Sequence, residues 1–164
     1  MQTRRKTRKS WDEEGHAHFL TFSCYKRLPL LAEPEAKDTF LLCLDAARTR
    51  LGFQVWAYVV MPEHVHLLVF PGPGGATIAR ILQSVKQPVS RRLMKTSGLP
   101  KFWQPGGGYD RNIVSDPDIM YVLDYMHNNP VERQLASTPE EYPWSSACWY
   151  LDQTGPFQVD TWTR

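Results

Sequence analysis

No stretch of the sequence is apolar for long enough to cross a bilayer. Its longest hydrophobic runs fall far short of the roughly 20 residues that a spanning helix needs. Cysteine is scarce: Cys24, Cys43 and Cys148 are odd in number and widely spaced, which argues against a zinc knuckle and suggests a reducing cytoplasm. The opening MQTRRKTRKS is followed by WDEEG, so the apolar centre of a secretory leader is missing. Internal repeats, low-complexity segments and dividing linkers are missing too, and 164 residues fit one domain with its own core. The net charge is only +2, but it is uneven. Arg4, Arg5, Lys6, Arg8 and Lys9 make a basic arm over residues 1–14, partly offset by Asp12, Glu13 and Glu14. Such an arm is either a solvated terminus or a set of phosphate contacts.

What is present reads as alternating strands and helices. HAHFLTFSCY (16–25) has the alternation and aromatic content of a first strand. Ala36, Phe40, Leu44 and Ala47 form one stripe of a helix over 34–51, with Gly52 as its stop. FQVWAYVVM (53–61) and HVHLLVF (64–70) are strands joined so closely that they should pair antiparallel. After the loop PGPGGA, a helix over 77–94 turns Ile78, Ile81, Leu82 and Val85 inward, and Pro88 should kink or split it. KFWQPGGGYDRNIV (101–114) reads as a fourth strand broken by a glycine-rich bend. A helix from 117, ending before Pro130, carries Ile119, Val122, Leu123 and Met126 on its core face. The order β-α-β-β-α-β predicts an α+β, ferredoxin-like split β-α-β antiparallel sheet with helices packed on one face. Residues 15–150, including a short helix near 143–150, would form the domain, followed by a weakly structured tail over 151–164.

Within MPEHVHLLVF, side chains two apart in a strand share a face, so His64 and His66 must point the same way, away from Val65, Leu67 and Val69. They are either polar positions of a half-buried sheet or two ligands of a metal. An imidazole pair suits zinc, manganese or iron, and an added oxygen ligand extends the choice to magnesium. Glu63 adjoins His64 and should face the other way. Tyr121, Tyr125 and Asn129 recur at helical spacing on a stripe beside the core face, where a hydroxyl and an amide oxygen could approach a metal held by the sheet. The alternative is a packing tyrosine and a helix-capping asparagine.

Taken together, these segments resemble a known family. MPEHVHLLV matches the His-hydrophobic-His signature of HUH endonucleases. FWQPGGGYDRNI, VLDYMHNNPVE and EYPWSS resemble, in order, signatures of the REP-associated tyrosine transposases and their insertion-sequence relatives. The resemblance implies the HUH endonuclease fold, with His64 and His66 as metal ligands, Asn129 in the place of a polar third ligand, and Tyr125 as nucleophile. It implies a divalent metal, Mg²⁺ or Mn²⁺, and cleavage and rejoining of single-stranded or hairpin-bearing DNA through a 5′-phosphotyrosine link. A monomer or homodimer in the bacterial cytoplasm, associated with the nucleoid and not with a membrane, would follow. Tyr121 is the rival nucleophile, and His127 should point elsewhere.

Candidate DNA contacts are Arg4 and Arg5 of the arm, Arg80, Lys86, Arg91 and Arg92 of the second helix, and Trp103 and Arg111, with Tyr109 beside them. The segment from Trp11 to His18 resembles the region with which the family recognises a hairpin foot. WDEEGHAHF departs there from the usual pattern of small residues and tryptophan, which leaves the target sequence open. A non-catalytic or domesticated single-strand-binding module is the alternative, since ferredoxin-like sheets with exposed aromatics also bind single strands.

Overall fold

The computed structural model describes residues 12–95 and 97–162, so Arg4, Arg5 and most of the basic arm lie outside the described residues. Alternation and β-branched content give four strands: β1 (Ala17–Ser23), β2 (Gln54–Val60), β3 (His64–Phe70) and β4 (Tyr109–Ile113). They form one sheet in the order β2-β3-β1-β4, with every neighbouring pair antiparallel. The two central strands align His66 with Thr21 and His64 with Ser23, while Arg111 and Tyr109 of β4 oppose Phe19 and Thr21.

α1 (Pro34–Leu51) and α2 (Ile78–Leu93) cover one face of the sheet. The expected stripes hold: Phe40 and Leu44 of α1 and Ile81 and Val85 of α2 bury against Leu20, Phe22, Val65, Leu67 and Val69. Gly52 ends α1 with φ 73°, the left-handed geometry that a glycine takes at least cost. α3 (Asp116–Glu132) lies on the opposite face, where Ile119, Val122, Leu123 and Met126 meet Phe19, Trp56, Val59, Leu68 and Ile113. The single helical layer expected from the sequence therefore holds for the two crossover helices, and α3 adds a second layer. The reason is that Phe19, Trp56 and Leu68 give that face its own apolar surface.

Both prolines expected to interrupt helices are accommodated. α2 is one helix through Pro88, held on either side by buried Val85 and Val89. α3 runs past Pro130, which is itself buried, to Glu132.

The EYPWSS segment closes the free edge of β2. Ser145 bridges to Val59, the Val60 and Ser146 amides donate to the Trp144 and Tyr58 carbonyls, and the Tyr142 hydroxyl donates to the Val60 carbonyl. A short helix, α4 (Ala147–Asp152), follows. The stretch beyond it is no loose tail. Phe157 and Val159 are buried, and the Asp160 amide donates to the Val55 carbonyl while its carboxylate accepts from the Val55 amide. Aromatic and β-branched residues at 157 and 159 supply the apolar contact that tail-like composition hides.

The glycine bend before β4 is required by close approach. Gly108 has φ +73°, and a Cβ there would overlap the Thr21 carbonyl oxygen and crowd Phe22 Cα, both backbone atoms of β1. Gly106 has φ +105° but open space around it. Gly108→Ala should cost more than about 2 kcal/mol, from backbone strain plus the clash, and Gly106→Ala about 1 kcal/mol from strain alone. Urea denaturation of the two variants checks the difference.

Candidate active site

β3 turns His64 and His66 toward the α3 face, as their spacing requires, and both are almost fully buried. Their Nε2 atoms point at each other 3.0 Å apart. Each Nδ1 has its own partner: His64 Nδ1 meets Glu63 Oε1 at 3.0 Å, and His66 Nδ1 meets Thr21 Oγ1 at 2.8 Å. A carboxylate only accepts, so His64 carries its proton on Nδ1 and presents a lone pair at Nε2. The Thr21 hydroxyl can donate or accept, so His66 can take either tautomer. Burial pushes the His66 imidazole down to about 3, with His64 adding to the lowering. Burial also lowers His64, against the opposing pull of Glu63. Two neutral imidazoles with convergent Nε2 atoms are the form in which histidine binds a metal.

Glu63 contradicts the expectation that it faces away. It precedes β3, so strand alternation does not govern its side chain, and it turns in beside His64. Arg133 Nη2 lies 2.7 Å and Arg27 Nη2 3.4 Å from Glu63 Oε1. Burial alone would raise the Glu63 carboxyl, but His64 and Arg133 outweigh burial and hold it below its ordinary value. Arg27, Arg133 and Thr21 join Glu63 as site residues that the sequence pattern does not single out. Such partners fix the orientation and tautomer of a ligating histidine.

α3 contributes the flanking stripe. The Tyr125 ring packs edge-on at 5.8 Å from the His66 ring and 5.9 Å from Phe19, and is 44% exposed. Asn129, one turn further on, is 9% exposed, and its Oδ1 is buried without a hydrogen-bond partner among the described residues. The Asn129 side chain works against the lowering of His66 by burial, so it stands near the histidine pair without a full hydrogen bond to it. An unpartnered buried amide oxygen near two convergent imidazole nitrogens is what a hard or borderline cation needs from a third donor. Among the described residues no group of three or more His, Cys, Asp or Glu side chains is placed to hold a metal ion, so a metal at this site would rest on the two histidines and an amide oxygen. One chain brings Tyr125, Asn129 and both histidines together. His127 turns away, with its Nε2 2.8 Å from Ser146 Oγ.

The remaining candidates divide. Arg111 stands at the site: with Tyr109, Tyr121, Tyr125, Phe19, Thr21 and His66 it lines a cleft of about 400 Å³. Arg80, Arg91 and Arg92 are exposed but ride on α2, which covers the other face of the sheet. Lys86 lies over the rings of Phe22 and Trp103. Trp103 does not present a ring to a base. It is 8% exposed, packs against Phe22, Phe40 and Phe102, and donates its indole N–H to the Lys86 carbonyl.

A family model described as transposase IS200 like matches residues 13–129. A curated relative, the REP-associated tyrosine transposase of Escherichia coli (strain K12), is 26% identical over 94 residues, 57% of this chain and 54% of that protein. The chain thus spans about half the length of that relative. A solved REP-associated tyrosine transposase bound to a REP hairpin shares the fold, with a TM-score of 0.74 at 20% identity over 95% of this chain and 98% of the other. A putative transposase from Deinococcus radiodurans R1 overlaps more loosely, with a TM-score of 0.46 at 23% identity over 74% of this chain and 97% of the other.

An amide oxygen that has no partner contributes nothing to the metal-free fold. Asn129→Leu, close to isosteric, should change the unfolding free energy by less than about 1 kcal/mol or raise it. Glu63→Leu, which strands His64 and Arg133, should cost about 2 kcal/mol. Denaturation in EDTA measures both.

Proposed function

We propose, from the premise that this chain belongs to the IS200-like transposase family, that it cleaves and rejoins single-stranded, hairpin-bearing DNA with Tyr125 as the nucleophile. One observation carries the reading: Tyr125 lies beside a convergent, neutral histidine pair, and the same helix carries a buried amide oxygen that lacks a partner. A binding module needs none of these groups in that arrangement. The hairpin held by the solved relative of the same fold supports a hairpin-bearing strand as substrate.

Mg²⁺ or Mn²⁺ would be held by His64 Nε2, His66 Nε2 and Asn129 Oδ1, and when bound it polarises the scissile phosphate as a Lewis acid. The chain's own residues do the rest. Glu63 holds His64 with its Nε2 lone pair available, and Thr21, by accepting from His66 Nδ1, would do the same for His66. Tyr125 Oη attacks phosphorus, forming a phosphotyrosine bond on the 5′ side and breaking the bond to the 3′ oxygen, which leaves as a hydroxyl after taking a proton. The phenolic proton has an open route to water, because Tyr125 is 44% exposed. Attack of a 3′-hydroxyl on the phosphotyrosine reverses these bond changes and joins the strand, so no nucleotide cofactor is consumed. Because Tyr125 stands beside His66 of its own chain, the reaction can run in cis. Arg111 borders the reacting position. Phosphates met by Arg80, Arg91 and Arg92 would belong to a more distant part of the DNA.

Incubation with end-labelled hairpin-bearing single strands and Mn²⁺, followed by a denaturing gel, should give a covalent adduct. Tyr125→Phe should reduce it at least about 10³-fold, while Tyr121→Phe keeps it. An adduct that survives in Tyr125→Phe refutes Tyr125 as nucleophile, and tight binding without any adduct favours the non-catalytic, single-strand-binding alternative. Mn²⁺ at 100 times its Kd should add about 2.7 kcal/mol to the stability of the wild type. That increment should vanish in His66→Ala, which a thermal melt would detect.

A further inference from the structure

The cleft between β4 and α3 leaves aromatic surface in water for no structural reason. Tyr109 on β4 is 52% exposed and Tyr121 on α3 is 66% exposed. Tyr109 touches Phe19 edge-on at 5.9 Å, and among the described residues Tyr121 stacks on no other ring. Both line the cleft of about 400 Å³, together with buried Phe19, Val122 and His66 and with Tyr125. That volume lies in the usual small-ligand range of roughly 300–1,000 Å³.

Charge is present but held to one side. Arg111 Nη2 is 3.3 Å from Asp118 Oδ1, and the other oxygen of Asp118 accepts from Ser115 Oγ at 2.7 Å. Asp118 is thereby turned back toward the start of α3, while Arg111 stays 44% exposed in its side chain. The guanidinium has five N–H donors and spends one edge on this anchor, which leaves the others for an anion. Flat aromatic faces beside an anchored arginine match one repeating chemical unit, an unpaired base with its phosphate, and base stacking on tyrosine is tolerant of sequence.

We infer that this cleft is a nucleotide subsite. It seats one unpaired base of the strand next to the scissile phosphate, against Tyr109 and Tyr121, with its phosphate on Arg111. The inference rests on the strand-transfer reading, since it specifies what lies beside Tyr125 when DNA is bound. It gives Tyr121 a role that is not nucleophilic, and it makes an unpaired base beside the scissile phosphate, whatever its identity, part of what the site binds.

The test needs no target sequence. Fluorescein-labelled single strands of dA, of dT and of abasic sites, each about 12 units long, are titrated in EDTA with wild-type protein, Tyr109→Ala/Tyr121→Ala and Arg111→Gln. Both tyrosines are exposed, so the double variant should fold, which circular dichroism checks. The wild type should bind the base-bearing strands more tightly than the abasic strand. The double variant should lose roughly 5- to 100-fold in affinity for dA and dT and nothing for the abasic strand. Arg111→Gln should weaken all three and flatten the salt dependence by roughly 0.7 in the slope of log K on log salt concentration. A double variant that binds dA as the wild type does overturns the subsite, and so does one that loses the abasic strand equally. A wild type that binds none of the three overturns the subsite together with the DNA reading. An intact base-dependent difference in a protein that forms no Tyr125 adduct sustains the subsite and overturns strand transfer.

Discussion

The pairing of β1 with β3 is the constraint on which the molecule depends. It aligns Thr21 with His66, and that alignment lets a hydroxyl on one strand hold an imidazole on the next. At the end of the same pair, the Cys24 amide donates to the Glu63 carbonyl, which fixes the residue before β3 and so the carboxylate that orients His64. A slip of one residue would send both histidines into the apolar layer under α1 and α2. The two interiors enforce the register between them: Leu67 and Val69 belong to one core, Leu68 to the other.

Against that rigid sheet, α3 does two jobs along its length. Ile119, Val122 and Met126 anchor it through buried apolar contact, while the adjoining stripe exposes Tyr121 and Tyr125 and then buries Asn129. A stripe that passes from water into the interior within two helical turns graduates the polarity of the site. Tyr125 stays accessible, and the Asn129 amide oxygen is dry and unpaired. Such an oxygen is a defect in a purely structural protein and an asset in one that acquires a partner for it.

Much of this was legible because local periodicity encodes it. Alternation alone puts His64 and His66 on one face, and helical spacing puts Tyr125 and Asn129 on one stripe. Periodicity ends where an element ends, which is why Glu63 escaped it: a residue outside the strand has no assigned face. Thr21, Arg27 and Arg133 depend on register and on contacts between distant segments that a single sequence does not contain. Trp103 has the composition of a base-stacking residue but the surroundings of a core residue, and only three-dimensional contact separates the two. The second helical layer was likewise hidden, because the order of elements fixes which strands pair and not which face a trailing helix chooses.

The segment that covers β2 has a consequence for how the sheet meets its surroundings. With Trp144, Ser145 and Ser146 on one flank, the opposite edge strand among the described residues is β4, five residues long and carrying Asp110, Arg111 and Asn112. Asp110 also points inward, to a buried pairing with His18 at 2.8 Å. Short length, charge and an inward carboxylate are the devices that keep an edge strand from recruiting another chain. The sheet is thus guarded along this edge against adding strands of its own kind by the five residues of β4.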